Sequence, residues 1–171
     1  INAVRKKYEG TSQWMKAPNG QPTKLNEMQW LQVRTPNFKA WFGDWENDAK
    51  NASKVVDSET KEPMVVYHGT PNDFSEFAKE KQKEGDLGKG FYFTDNKANA
   101  SSWSRGGNVM PVFLTGTTAI QAIENGNPAK SRNLLISKWR TSNVFVATNP
   151  TQIKSATDNT GEFNPTNPDI R

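Results

Sequence analysis

One histidine stands in the chain, His68, after the apolar run Met64-Val65-Val66-Tyr67 and before Gly69-Thr70-Pro71. A histidine at a strand end is suited to orient a ligand hydroxyl through a ring N–H. The glycine beside it lets a ligand approach the backbone closely. A lone histidine serves as readily to cap an element or fill space. A second candidate is Gly88-Lys89-Gly90-Phe91-Tyr92-Phe93-Thr94-Asp95. Two glycines before an aromatic strand permit a tight turn. Tyr92 and Phe93 must point to opposite faces, because strand side chains alternate. The segment is not a phosphate loop, since the glycine spacing and the Lys-[Ser/Thr] ending are absent. The third candidate is Trp103, eleven residues after Tyr92. A tryptophan there suits either stacking on a planar ring or core packing.

These residues need elements to hold them. The β-branched run at 64–67 predicts a buried strand, ending in a turn at 68–71. Residues 72–90 are charged and glycine-bearing, which predicts a surface loop. A short aromatic strand follows at 90–93. Thr94 or Asp95 then caps a helix running to about Trp103. Strands are expected at 110–114 and 143–147, with pairing resumed at Gln152-Ile153-Lys154. Asn127-Pro128 is expected to open a helix holding Leu134, Leu135 and Trp139. Upstream, residues 1–24 are turn-rich, and Leu25, Met28 and Leu31 form one helical stripe. Thr35-Pro36 reads as a cap and first helical position. Phe38, Trp41, Phe42 and Trp45 share one helix face and are expected to pack. The tail from Thr157 offers little to bury and is expected to be extended. Strands and helices mix without regular crossovers, which predicts an α+β fold.

Composition narrows the chemistry. The chain has 171 residues, 33% hydrophobic and 11% aromatic, with 6 Trp and 9 Phe. Its mean hydropathy is −0.85. So polar a chain with so many rings is not disordered throughout. Cysteine is absent, which excludes disulfides, thiol nucleophiles and cysteine-ligated zinc. One histidine leaves no histidine cluster for a metal, and none is expected. No apolar run is long enough for a transmembrane helix. The first residue is Ile and no leader pattern follows, which reads as a domain within a longer polypeptide. The formal charge of +4 is a weak hint of nucleic acid. One stretch is sharper. Between Glu124 and Asp158 there is no acid, while Lys130, Arg132, Lys138, Arg140 and Lys154 give +5. A solvated face and a phosphate-gathering surface both fit it.

Taken in order, the candidates form a pattern. A strand ending in His68-Gly69-Thr70, then Gly88-Lys-Gly-x-Tyr92-Phe93, then a helix ending in Trp103, resembles the catalytic half of ADP-ribosyltransferases of the diphtheria-toxin and poly(ADP-ribose)-polymerase class. Two further segments resemble ADP-ribosyltransferase domains of phage polyvalent proteins and bacterial polymorphic toxins. They are Arg34-Thr-Pro-Asn-Phe-Lys-Ala-Trp-Phe-Gly-Asp-Trp45, and Gln152-Ile-Lys-Ser-Ala156 with Asn164-Pro-x-Asn-Pro-Asp-Ile170. The resemblance implies split mixed or antiparallel sheets with flanking helices. It implies an N-terminal helical segment at 1–63, a catalytic core at 64–156 and an extended tail at 157–171.

The resemblance also implies roles. His68 matches the histidine that bonds the ribose next to nicotinamide. Gly69 matches the glycine whose backbone holds the carboxamide, and Thr70 lies on the adenosine side. Tyr92, followed by Phe93, matches the tyrosine lying against nicotinamide. Trp103 takes the place of the second stacking aromatic. Ser101 lies near the family serine that bonds the carboxamide, although counting from Tyr92 places Ala100 in register. The third catalytic position departs from the pattern. Polymerase-type members carry a glutamate eight residues before a glutamine, and counting back from Gln152 lands on Val144. An aliphatic residue there resembles mono-ADP-ribosyltransferases. Gln152 and Glu162 are the other candidates for that role.

The expected function is a toxin or effector domain that moves ADP-ribose from NAD to RNA, DNA or protein and releases nicotinamide. NAD is its co-substrate. An immunity protein is an expected partner, and the target-cell cytoplasm the expected place of action, after secretion or phage delivery. A catalytically impaired NAD- or ADP-ribose-binding module and a structural phage-protein domain are the alternatives.

Overall fold

The computed structural model describes residues 1–72, 74–78, 81–85, 88–116, 118–121, 133–139 and 142–171. Its N-terminal part holds three short helices, α1 (Asn2–Tyr8), α2 (Glu27–Gln32) and α3 (Pro36–Phe42). Asn26 opens α2 with a capping box completed by Gln29. Thr35 caps α3 through a bond from the Phe38 amide, and Pro36 takes the first turn. Gly43 ends α3 at φ 103, where any Cβ would collide with Ala52. Phe38, Trp41, Phe42 and Trp45 are all buried in a first core with Trp30, Phe113 and Phe163. The three buried indole N–H groups of this core each find a carbonyl. Trp30 donates to Lys16, Trp41 to Thr151 and Trp45 to Val33.

A buried ion pair runs through this part. Arg34 Nη2 lies 2.7 Å from Glu62 Oε2, with the two side chains 3% and 1% exposed. The guanidinium also bonds Trp30 O and Lys16 O and lies 3.8 Å from the Trp30 ring centroid. Thr23 donates to the other Glu62 oxygen. Two elements distant in sequence are thereby locked together.

The sheet comprises β1 (Val66–Thr70), β2 (Lys83–Gly85), β3 (Gly88–Thr94), β4 (Asn108–Leu114), β5 (Thr118–Gln121), β6 (Asn133–Trp139), β7 (Ser142–Ala147) and β8 (Ile153–Ser155). Helix α4 (Lys97–Trp103) follows β3. The strand order is β5-β6-β7-β3-β1-β4-β8, with β2 paired to β3. β5 runs parallel to β6, and the six strands from β6 to β8 in that order are antiparallel. The fold is α+β, and the sheet is split. β1 meets β3 only at Tyr67↔Thr94, whereas β1 pairs with β4 along its whole length. A second core of Val66, Phe77, Phe91, Phe93, Phe145 and Ile170 covers one face. Val112 and Leu114 of β4 face it, while Phe113 faces the first core, by simple alternation.

Several local expectations change. His68-Gly69-Thr70 is strand, not turn, because Met110, Val109 and Asn108 pair with it. The loop expected at 72–90 contains β2, and buried Phe77 anchors its first part. Asn96 caps α4 instead of Thr94 or Asp95. Thr94 Oγ1 takes the Asn96 amide, and Asp95 is drawn to Asn143. The helix expected to hold Leu134 and Trp139 is β6 over 133–139, and residues 127–132 lie outside the described residues. Leu134 and Ile136 enter the second core two residues apart, the period of a strand. The tail is not idle, since Phe163 and Ile170 are 2% and 3% exposed.

Candidate active site

The split between β1 and β3 is where the chemistry-bearing residues gather. His68 leaves the last paired position, Tyr67↔Thr94, and points its imidazole across the gap. Its Nδ1–H donates to the Tyr92 carbonyl at 2.8 Å. A carbonyl only accepts, so the proton is on Nδ1, and a bond from this ring to a ligand hydroxyl is made at Nε2. Three phenylalanines pack on the imidazole. Phe77 stands 4.9 Å away, Phe93 5.2 Å and Phe74 6.2 Å, centroid to centroid. The Phe74-x-x-Phe77 pair was legible as a spacing, although its charged surroundings pointed to a solvated loop.

Gly69 has a second neighbour. A Cβ there would lie 1.9 Å from Ala100 O and 3.0 Å from Ser104 N. The last turn of α4 is therefore seated directly on the β1 backbone at Gly69, with Ser104, the residue after Trp103, in the contact. Ala100 is fully buried under this contact, and Ser101 is exposed. Gly69→Ala is expected to overpack this seat and cost about 1–3 kcal/mol. A thermal scan checks it.

Tyr92 and Trp103 are both half-buried. Tyr92 sits opposite Val146 on β7. Its phenol end lies against β2, because a Cβ on Gly85 would be 2.6 Å from Cζ and Oη. Phe93, on the other face, is fully buried behind His68. Thr70 is 6% exposed, and its hydroxyl accepts from the Asn72 amide.

The third-position residues divide. Val144 is 6% exposed and pairs with Thr94 and Ser137. Gln152 is 4% exposed. Its Oε1 accepts from the Thr148 and Asn149 amides, and its Nε2 donates to Thr115 O. This amide closes the turn between β7 and β8, and its geometry favours a structural over a catalytic part. Glu162 is exposed in the tail, beside Phe163 on the first core. Two polar ties fix the strand that carries Val144. Asp95 accepts from the Asn143 amide and Nδ2, and Asn99 of α4 donates to Ser142 Oγ. No spacing in the sequence signalled either tie.

Of the basic stretch, Lys154 is 2% exposed, so it is not part of a basic face. Its ammonium donates to Asn167 O and Asp169 O. Burial holds its pKa below the usual 10.5, against the opposing pull of Asp169 and Glu162. Lys138 is exposed, and Lys130, Arg132 and Arg140 lie outside the described residues.

A groove of about 690 Å³ opens between β4 and the tail, walled by Phe74, Met110, Asp158 and Arg171. Neither His68 nor Tyr92 lines it. Among the described residues there is no cluster of acids and histidines fit to hold a metal ion. No helix among them is long and apolar enough to cross a membrane.

No curated protein matches the chain. A family described as ADP-Ribosyltransferase in polyvalent proteins matches residues 58–137, the span that contains His68, Tyr92 and Trp103 and ends before β7. Residues 58–137, a little under half of the chain, are thus similar to the ADP-ribosyltransferase family of polyvalent proteins, and this span carries the β1–β3 split and the imidazole that bridges it.

Proposed function

We propose that the split between β1 and β3 binds NAD and transfers one ADP-ribose unit to a macromolecule. The observation that carries this reading is His68, whose Nδ1–H is bound to the Tyr92 carbonyl across the gap. That bond fixes the ring and directs Nε2 to a ribose hydroxyl. Tyr92 and Trp103 are assigned as the walls of the nicotinamide slot, and the Gly69 backbone as the carboxamide contact. Thr70 and Ser101 are secondary contacts. The β2 hairpin lies on Tyr92, so NAD entry requires it to lift.

In the reaction the ribose C1′–N bond breaks and its electron pair leaves with nicotinamide. The protein holds the dinucleotide in a reactive shape and steadies the cationic ribose through its hydroxyls. An acceptor oxygen or nitrogen then bonds C1′; an ionised carboxylate or phosphate has no proton to lose, and a neutral acceptor passes its proton to solvent. Val144 offers no carboxylate to polarise an acceptor. The acceptor is therefore taken to bring its own charge, as a carboxylate or a phosphate does. One unit is added, because chain extension needs the missing glutamate. The family description supports a domain of a larger phage-borne or secreted protein. We further infer an effector that acts in a target cell's cytoplasm and is opposed by an immunity protein.

Aliphatic Val144 also favours a second reading, an NAD-binding module without catalysis. NAD labelled in its adenylate, incubated with a cell lysate, separates the two. The expected result is label on macromolecules, lost to nuclease or to protease according to the acceptor. Tyr92→Ala should raise the KM for NAD about tenfold to a hundredfold, the worth of ~1–3 kcal/mol for a stacked ring. Binding without transfer supports the module. No binding overturns both.

A further inference from the structure

The ending Asn164-Pro-x-Asn-Pro-Asp-Ile170 is left unexplained by the site, yet it is tied into the protein at several points. Ile170 is 3% exposed and sits in the second core with Phe77 and Phe93. Its carbonyl accepts from the Ser155 amide of β8, and its own amide donates to Ser75 O. Asp169 forms a β-bridge with Glu76. Residues 169–170 therefore lie between β8 and the segment 75–76. The other fastening is Lys154, which is almost wholly buried and gives its ammonium to two carbonyls of the strap, Asn167 O at 2.8 Å and Asp169 O at 2.9 Å. A buried ammonium with such partners is an expensive device, retained where it holds something in place.

What it holds is the segment around Ser75 and Glu76. Directly beside them are Phe74 and Phe77, two of the three rings on the imidazole. No regular element of the described residues spans 71–78. The strap supplies the backbone partner that a strand would otherwise have.

We propose that the C-terminal strap, residues 157–171, is the positioning device for His68. Asp169 and Ile170 fix Ser75 and Glu76, and thereby set Phe74 and Phe77 against the imidazole. The device rests on the reading that His68 holds a ribose of NAD. Ile170 and Lys154 are positioning residues, and neither is assigned a contact with NAD.

The single histidine makes the test direct. Its imidazole C–H signal is unique in a proton NMR spectrum, and the rings packed on it displace that signal from the position of a solvated histidine. Ile170→Ala and Lys154→Met should each move the signal towards that position. Each should also raise the KM for NAD about tenfold with little change in kcat. Ile170→Val should restore both. Leu25→Ala, in the first core, controls for general loss of stability and should leave the signal in place. An imidazole signal unmoved in both strap variants overturns the proposal. So does an equal movement in Leu25→Ala. Should the wild-type protein not turn over NAD, the reading of the site fails, and the imidazole signal still decides the strap by the same two outcomes.

Discussion

His68→Ala is expected to lower ADP-ribosyl transfer about a hundredfold or more, with the fold intact. Mispositioning a bound reactant by an ångström costs a factor of that order, and this imidazole is the group assigned to hold the ribose. The substitution removes the bond to Tyr92 O as well, so the two sides of the split lose the tie across it. The register between β1 and β4 does not depend on the imidazole and should survive. Circular dichroism should therefore match the wild type while transfer from labelled NAD collapses. His68→Asn is the informative companion. Its amide can still donate to the Tyr92 carbonyl, but it is too short to present a second polar atom where Nε2 stands. Transfer should stay low in that variant as well. Recovery of activity in His68→Asn would show that the imidazole serves the fold alone.

The second large effect is on stability. Glu62→Ala is expected to cost about 3–5 kcal/mol, the usual result of removing one partner of a buried ion pair. Native domains have only ~5–15 kcal/mol in total, so this is a large share. The loss arises because Arg34 is left charged and buried, stacked on Trp30 with its carboxylate gone. For a chain of this size each kcal/mol moves Tm by about 2–4 °C, and differential scanning calorimetry should find a drop of roughly 6–20 °C. Replacing both members, Arg34→Met with Glu62→Leu, should recover most of that loss, as apolar substitutes for buried pairs often do. A double variant as unstable as the single one would mean that the pair contributes through its bonds to Lys16, Trp30 and Thr23 and not through charge compensation.

The candidate residues of the proposed site were legible where they sit in short motifs. His68, Tyr92 and Trp103 could be named because a lone histidine, a glycine-flanked aromatic strand and a spaced tryptophan are local signals. The rings of α3 were legible for the same reason, since their period of 3.6 is local. What escaped was decided by distant partners. His68-Gly69-Thr70 reads as a turn until β4 pairs with it. Leu134 to Trp139 fits a helix or a strand, and pairing with β7 settles it. Asp95 looks like a cap, yet Asn143 is nearly fifty residues away in the chain and takes both its oxygens. Lys154 counted as surface charge because no sequence pattern announces that two tail carbonyls will bury it. The tail looked unanchored because only Phe163 and Ile170 are large and apolar there, and each docks on a different core.

A structure of the protein with a non-hydrolysable NAD analogue decides whether the split between β1 and β3 is the NAD site. The nicotinamide ring is expected between Tyr92 and Trp103, its carboxamide on the Gly69 backbone and a ribose hydroxyl on His68 Nε2, with the β2 hairpin lifted from Tyr92. An analogue lying in the groove between β4 and the C-terminal strap, without contact to His68 and Tyr92, would contradict it.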